Sequence, residues 1–175
     1  MSNLDFENGL VNLQVIDDLK RLSNILKTGE SQIILNEKLG DISIDKGYTG
    51  KKGFGLLHII EGRYKKDKLN EDKITALLYK VMDAVKNGYI TDTINIRKKN
   101  NDKRTGIEKD GIITILSRRK ETHEKFVITG YEINKKKEEA AEAIQTVIAR
   151  YGYTPEFSDF RKQVGAVVSS LQVLP

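Results

Sequence analysis

The chain has no cysteine and no tryptophan, and only two histidines, two prolines and two methionines in 175 residues. Without cysteine there are no disulfide staples and no thiolate metal sites, and the redox compartment stays open. Two histidines and no cysteine also argue against a structural zinc site. No apolar run approaches the roughly 18 residues that span a bilayer. The opening "MSNLDFENGL" lacks a basic stretch followed by an apolar one, so no signal peptide is expected. A Gly-x-x-x-x-Gly-Lys-Ser/Thr loop, a Gly-x-Ser-x-Gly elbow and a dinucleotide fingerprint are all missing, and no resident metal or cofactor is expected. No period of about 20–50 residues recurs, which excludes a solenoid or propeller.

What is present is a soluble globular composition, 38% hydrophobic and 31% charged. The length suits one domain with a core, or a domain with appendages. The net charge of +5 is unevenly spread. Residues 1–50 hold 5 basic and 8 acidic side chains, residues 51–132 hold 19 and 12, and residues 133–175 hold 6 and 5. The positive excess belongs to the middle segment, where a basic surface would favour a polyanion such as nucleic acid. Lysines on a solvated face give the same count without any such partner.

Residues 9–27 carry apolar side chains at helical spacing (Val11, Val15, Leu19, Leu22, Ile25, Leu26) and predict one or two helices. "QIIL", 32–35, fits either a short strand or a helix. "DKGYTGKKGFG" has four glycines in eleven residues and predicts a loop. Residues 54–63 predict a short helix. Residues 70–86 predict the clearest one, with Asn70 as N-cap, Glu71 and Asp72 at the positive end, and Asn87-Gly88 as the stop. The period then changes. "YITDTINIR", "GIITILS" and "KFVITGYE" read as three strands joined by polar links, hence an antiparallel meander. A last helix is expected over 134–150, and the mildly apolar tail either docks on the domain or leads into a longer protein. The expected fold is α+β: N-terminal helices packed on a small antiparallel sheet, with a further C-terminal helix. The expected organisation is a helical extension (1–50), a core (51–133) and a C-terminal helix and tail (134–175).

Strand alternation predicts Val127, Thr129 and Tyr131 on one face of the last strand, with Phe126, Ile128 and Gly130 on the other. Thr129 and Tyr131 would then point the same way, about 7 Å apart. Ile113, Ile115 and Ser117 share a face of the strand before, and Thr93, Asn95 and Arg97 a face of the first. Hydroxyls, a phenol and an arginine could hold a phosphate, and the same residues also suit the wet side of any antiparallel sheet. His58 sits in "GFGLLHIIEGRY", three residues before Glu61 and so on one helix face with it. It is either a core histidine with a satisfied ring or a proton-transfer group. His123, in "RRKETHEK", reads as a solvated loop residue. As a set, these residues match RNA cleavage, which needs a base near the 2′-hydroxyl, an acid for the leaving oxygen, and cations for the charge on phosphorus.

The order "GFGLLHIIEGRY", "KITALLYKVMDAVKNG", "RTGIEKDGIITILS", "KFVITGYE" resembles the phage-associated and polymorphic-toxin members of the barnase/EndoU/colicin/RelE-like nuclease fold. The matching positions are Gly53 to Ile59, Gly88, Arg97 or Arg104, Ser117, and Ile128 to Glu132. They span about residues 50–133. The resemblance implies a small α+β domain with its active site on an antiparallel sheet, and a metal-independent endoribonuclease toxin, often acting on transfer RNA. It implies His58 as general base or acid, with Thr129 and Tyr131 at the scissile phosphate. Arg63, Arg97 or Arg104 would neutralise phosphate, with Ser117 and Lys103 beside them. It further implies a cognate immunity or antitoxin protein, and action in the cytoplasm of a target cell or in association with a phage. Where many members carry a second histidine, this chain reads "EGRYKKDK", so the acid partner of His58 is unassigned.

Two other readings use the same residues. One is a non-catalytic nucleic-acid-binding module on the same basic sheet. Such modules stack bases on exposed aromatics, and the strands offer only Tyr89, Phe126 and Tyr131. The other is a phage structural or interaction domain that uses its terminal helices.

Overall fold

The computed structural model describes residues 3–91 and 104–173. The elements in order are α1 (Asn3–Thr28), β1 (Gln32–Asn36), β2 (Gly40–Ile44), α2 (Gly55–Lys65), α3 (Glu71–Asn87), β3 (Tyr89–Ile90), β4 (Thr105–Lys109), β5 (Ile112–Arg118), β6 (Lys125–Glu132), a 3₁₀ turn (Asn134–Lys136), α4 (Lys137–Tyr151) and α5 (Pro155–Val173). The fold is α+β. Among the described residues the sheet has six strands in the order β1-β2-β6-β5-β4-β3. It is mixed rather than purely antiparallel, because β2 runs parallel to β6, pairing Ile42 with Lys125 and Ser43 with Phe126.

The central helix follows from its sequence. The Asn70 side chain accepts a hydrogen bond from the Lys73 amide at 2.9 Å, satisfying one of the free N–H groups of the first turn of α3. Ile74, Leu77, Leu78, Val81, Met82 and Val85 are all buried and form its apolar stripe. They cover the sheet face that carries Ile34, Ile42, Ile44, Ile107, Ile112, Leu116 and Val127. Outside α3 lie α1, α4 and α5, whose Leu19, Leu22, Ile144, Phe157 and Phe160 complete one core. The C-terminal tail is therefore the helix α5, packed against α1 and α3. Residues 32–44 contribute an edge hairpin that continues the sheet beyond β6.

Two strands were not expected. "GDISI" forms β2. "TGIEK", whose first two residues close the expected polar link "KKNNDKRTG", forms β4 and pairs with β5 from Thr105↔Leu116 to Lys109↔Ile112. The turn between them is Asp110-Gly111, with φ of 52° and 77°. Two consecutive positive φ values are what a two-residue hairpin turn requires, and Asp-Gly supplies them. Of the strand expected over 89–97, Tyr89 and Ile90 pair with Glu108 and Ile107. The Thr91 amide still donates to the Gly106 carbonyl at 3.0 Å, and residues 92–97, with Arg97, and the nearby Lys103 lie outside the described residues.

The expected alternation in β6 also changes. The pairing with β5 shifts between Ile115↔Thr129 and Leu116↔Val127, so Ile128 is an extra residue in a β-bulge. The bulge turns Val127 into the core while Thr129 and Tyr131 stay on the opposite face, now joined by Phe126 across from Ser117. Gly130 faces α3 so closely that a Cβ there would lie 2.5 Å from Val81 Cγ2.

Candidate active site

The face of the sheet away from α3 holds the residues with chemical potential, and α2 positions them. Residues 45–54 fold into a tight loop ahead of α2. Tyr48 and Phe54 exchange backbone hydrogen bonds at 3.1 Å, and the carbonyls of Asp45 and Lys46 accept from the Leu56 and Leu57 amides at 3.0 Å. The loop backbone thus caps the helix start that no side chain caps. Gly47 has φ +66°, and a Cβ on it would fall 1.7 Å from the Phe54 carbonyl oxygen, so only glycine fits. The Phe54 ring stands edge-on to Phe126 with centroids 5.4 Å apart. At the other end of α2, the Arg63 guanidinium lies 5.7 Å from the centre of the Tyr131 ring. Helix and strand therefore run side by side in the same direction.

His58 lies between these two anchors. Its Nδ1 is buried without a hydrogen-bond partner, against Gly53, where a Cβ would come within 2.8 Å of it. Nε2 makes no hydrogen bond and stays accessible. Burial lowers the imidazole pKa below its ordinary value, Glu61 opposes that, and Lys66 and Arg63 add to it. The ring is neutral at about pH 7, the form a general base needs. Glu61 also accepts a hydrogen bond from the Gly50 amide at 3.0 Å, so it braces the same loop.

At the Arg63 end of α2 opens a cleft of about 530 Å³, lined by Arg63, Asp67, Glu108, Tyr131, Glu132 and Lys136 among others; His58 is not part of its lining. Arg63 is only 8% exposed. Its Nη1 is 2.9 Å from Asp67 Oδ2, while its Nε is buried with no partner. Burial pushes the guanidinium pKa down, and Asp67, Glu132 and Tyr131 hold it up. An arginine stays charged regardless at physiological pH. Burial raises the Tyr131 pKa and Arg63 lowers it, so the phenol is a donor near neutrality. Glu108, 3% exposed, accepts a hydrogen bond from Lys136. His58 and Arg63 are five residues apart, about 140° around the helix, yet the Arg63 charge still reaches the imidazole.

The fold thus brings Arg63 to Tyr131 where α2 meets β6, with His58 earlier on the same helix, against Gly53. Thr129 is two residues back on the same face of β6, opposite Ile115. Ser117 is one strand over on that face, buried, opposite Phe126. Arg104 is half-buried and immediately precedes β4, at the level of the Ser117 end rather than the cleft. Arg97 and Lys103 lie outside the described residues. His123 is exposed, with φ +61°, in the β5–β6 turn. Sequence reasoning missed Glu108 and Lys136, and named Glu132 only as a matched position without a role. The Asp110-Gly111 turn signal would have revealed β4 and placed Glu108 beside Ile113 and Tyr131.

A second cavity of about 580 Å³, between α1, α3 and α4, is lined by charged groups that are tied to one another. Lys86 bonds Asp18 at 2.8 Å, Lys80 bonds Asp110 at 2.6 Å, and Lys109 bonds Asp83 at 2.7 Å. Asn87 donates to Asp83 at 2.9 Å. Ions this well paired fasten elements together and leave little for a ligand.

Among the described residues, no group of three or more His, Asp or Glu side chains could hold a metal ion, and no helix is long and apolar enough to cross a membrane. No protein-family model, curated protein or solved structure matches the chain.

Proposed function

We propose that the chain is a metal-independent endoribonuclease of the toxin type, with its reaction centre along the α2–β6 seam. The observation that carries this reading is Arg63. A nine-tenths buried cation with an unpartnered Nε lies over a protonated phenol, on the wall of a cleft, within electrostatic reach of a neutral histidine. Asp67 pairs with one nitrogen of the guanidinium, and a phosphodiester would supply oxygens for the rest.

In this mechanism His58 Nε2 takes the proton of a ribose 2′-hydroxyl. The 2′-oxygen bonds to the adjacent phosphorus, and the bond from phosphorus to the 5′-oxygen breaks. That oxygen leaves with a proton from water, and a 2′,3′-cyclic phosphate remains. Arg63 stabilises the charge gathering on the non-bridging oxygens, where an ionic donor acts far more strongly than in water. Tyr131 donates a hydrogen bond to the same group, and Thr129 positions it. Transfer RNA is the proposed substrate, and an immunity protein that occludes the cleft is the proposed partner.

The test is incubation of the purified chain with total transfer RNA in EDTA, followed by analysis of the new ends. Fragments with 2′,3′-cyclic phosphate are expected. Fragments ending in 3′-hydroxyl, or no cleavage of any RNA, would overturn the reading.

A further inference from the structure

A second feature of the open face is absent from the mechanism above. At the β6 start, away from the Arg63 cleft, three rings form a ladder. Tyr48 stands edge-on to Phe54 with centroids 5.0 Å apart, and Phe54 stands edge-on to Phe126 at 5.4 Å. Arg119 covers the inner end, 4.6 Å from the Phe126 centroid. The outer ring is 54% exposed, although the loop holding it is pinned by backbone hydrogen bonds between Tyr48 and Phe54 and between Gly50 and Gly53. An aromatic ring fixed in place yet left in water has already lost the freedom that binding would cost.

The charge around it is one-sided. Arg119 ties this loop to the β5–β6 turn through Asp45 at 2.8 Å and Glu124 at 3.1 Å, one cation shared by two carboxylates, while Glu61 is engaged by the Gly50 amide and Lys65. Lys51, Lys52, Arg118 and Lys120 are exposed and make no ion pair among the described residues. Glu121 remains as the unpaired acid of that turn. A rigid exposed ring between solvated cations is how sequence-tolerant proteins hold a single strand: bases stack on the ring and phosphates meet the cations.

We infer that Tyr48, Lys51, Lys52 and Lys120 form a platform for single-stranded RNA, which leads a strand along the open face toward the Arg63 cleft. That the strand is RNA rests on the ribonuclease reading; the platform itself rests on the ring ladder and the charge. It adds an exposed aromatic from a loop to the exposed Tyr89 of β3.

The test uses a short fluorescein-labelled oligouridylate with 2′-O-methyl groups, which cannot be cleaved, and polarisation across a salt series. Tyr48→Ala should weaken binding about tenfold or more, while Tyr48→Phe, which keeps the ring, should bind like the parent. Lys51→Ser with Lys52→Ser, both on exposed loop positions, should lower the salt slope by about 1.4. The same oligonucleotide in a duplex should bind more weakly than the single strand. Equal binding by parent, Tyr48→Ala and the lysine variant would overturn the platform, as would a parent that does not bind. The two proposals fail separately. A parent that cuts RNA while its rim variants bind and cut equally well sinks the platform alone. A parent that binds through the rim but cuts nothing sinks the ribonuclease alone.

Discussion

Replacing Gly130 with alanine tests the packing that sets Tyr131. The new Cβ would lie 2.5 Å from Val81 Cγ2 and 3.4 Å from the Ile113 carbonyl oxygen. Carbon atoms settle about 3.5–4.0 Å apart, so strand and helix must separate by roughly 1 Å. Val81 cannot rotate out of the way cheaply, because a β-branched side chain in a helix has one strongly preferred χ1. Overpacking of this kind costs about 1–3 kcal/mol. In a chain of this size each kcal/mol lowers Tm by about 2–4 °C. The assay is urea unfolding of the parent, Gly130→Ala, Val81→Ala and the double variant. Removing the Val81 methyls should relieve the clash, so the double variant should be more stable than the two single losses add up to, by about 0.5–3 kcal/mol. Cleavage should fall in Gly130→Ala beyond the unfolded fraction, since β6 carries Tyr131 away from Arg63. A Gly130→Ala variant as stable as the parent, or strict additivity, would refute the reasoning.

Lys86→Met should strand Asp18, which is 4% exposed and whose pKa burial already raises. Because Lys86 keeps some solvent contact, the loss at about pH 7 should fall near the lower end of the about 3–5 kcal/mol typical of a broken buried pair. A folded-state pKa above the unfolded value means stability is regained as pH falls toward it, so urea melts at lower pH should recover part of the loss. For His58 the folded pKa lies below 6.5. As pH drops through 6.5 the unfolded chain takes up a proton first, so stability should decline there in the parent and not in His58→Gln. The cleavage rate should hold down to a pH below 6.5 before it falls, as read from single-turnover profiles. Asn70→Ala removes the α3 cap and should cost about 1 kcal/mol by urea unfolding.

The elements with local signals were legible in the sequence. Asn70, the 3.6-residue stripe and Gly88 defined α3 almost to the residue, and the β-branched runs of β5 and β6 announced themselves. The hidden parts depend on distant partners. β4 reads as polar because Glu108 and Lys109 are neutralised by Lys136 and Asp83, which sequence spacing does not reveal. The bulge at Ile128 is a property of pairing with β5, so simple alternation put Val127 on the wrong face. β2 joins β6 in parallel from more than eighty residues away. Thr129, Tyr131, Arg63 and His58 were identifiable as candidates by type. That α2 lies along β6, bringing Arg63 to Tyr131, follows only from the ring contacts at its two ends.

The central claim is that RNA is cut at this seam, with His58 as base and Arg63 as the cation on phosphorus. It is tested most directly by single-turnover cleavage of total transfer RNA in EDTA. The parent, His58→Gln and Arg63→Lys are compared after circular dichroism and urea melts show each folded. The account predicts that the parent cuts, that His58→Gln loses about 100-fold or more, and that Arg63→Lys keeps its charge but loses rate with the bidentate fork. Cleavage at the parent's rate by both variants would contradict it.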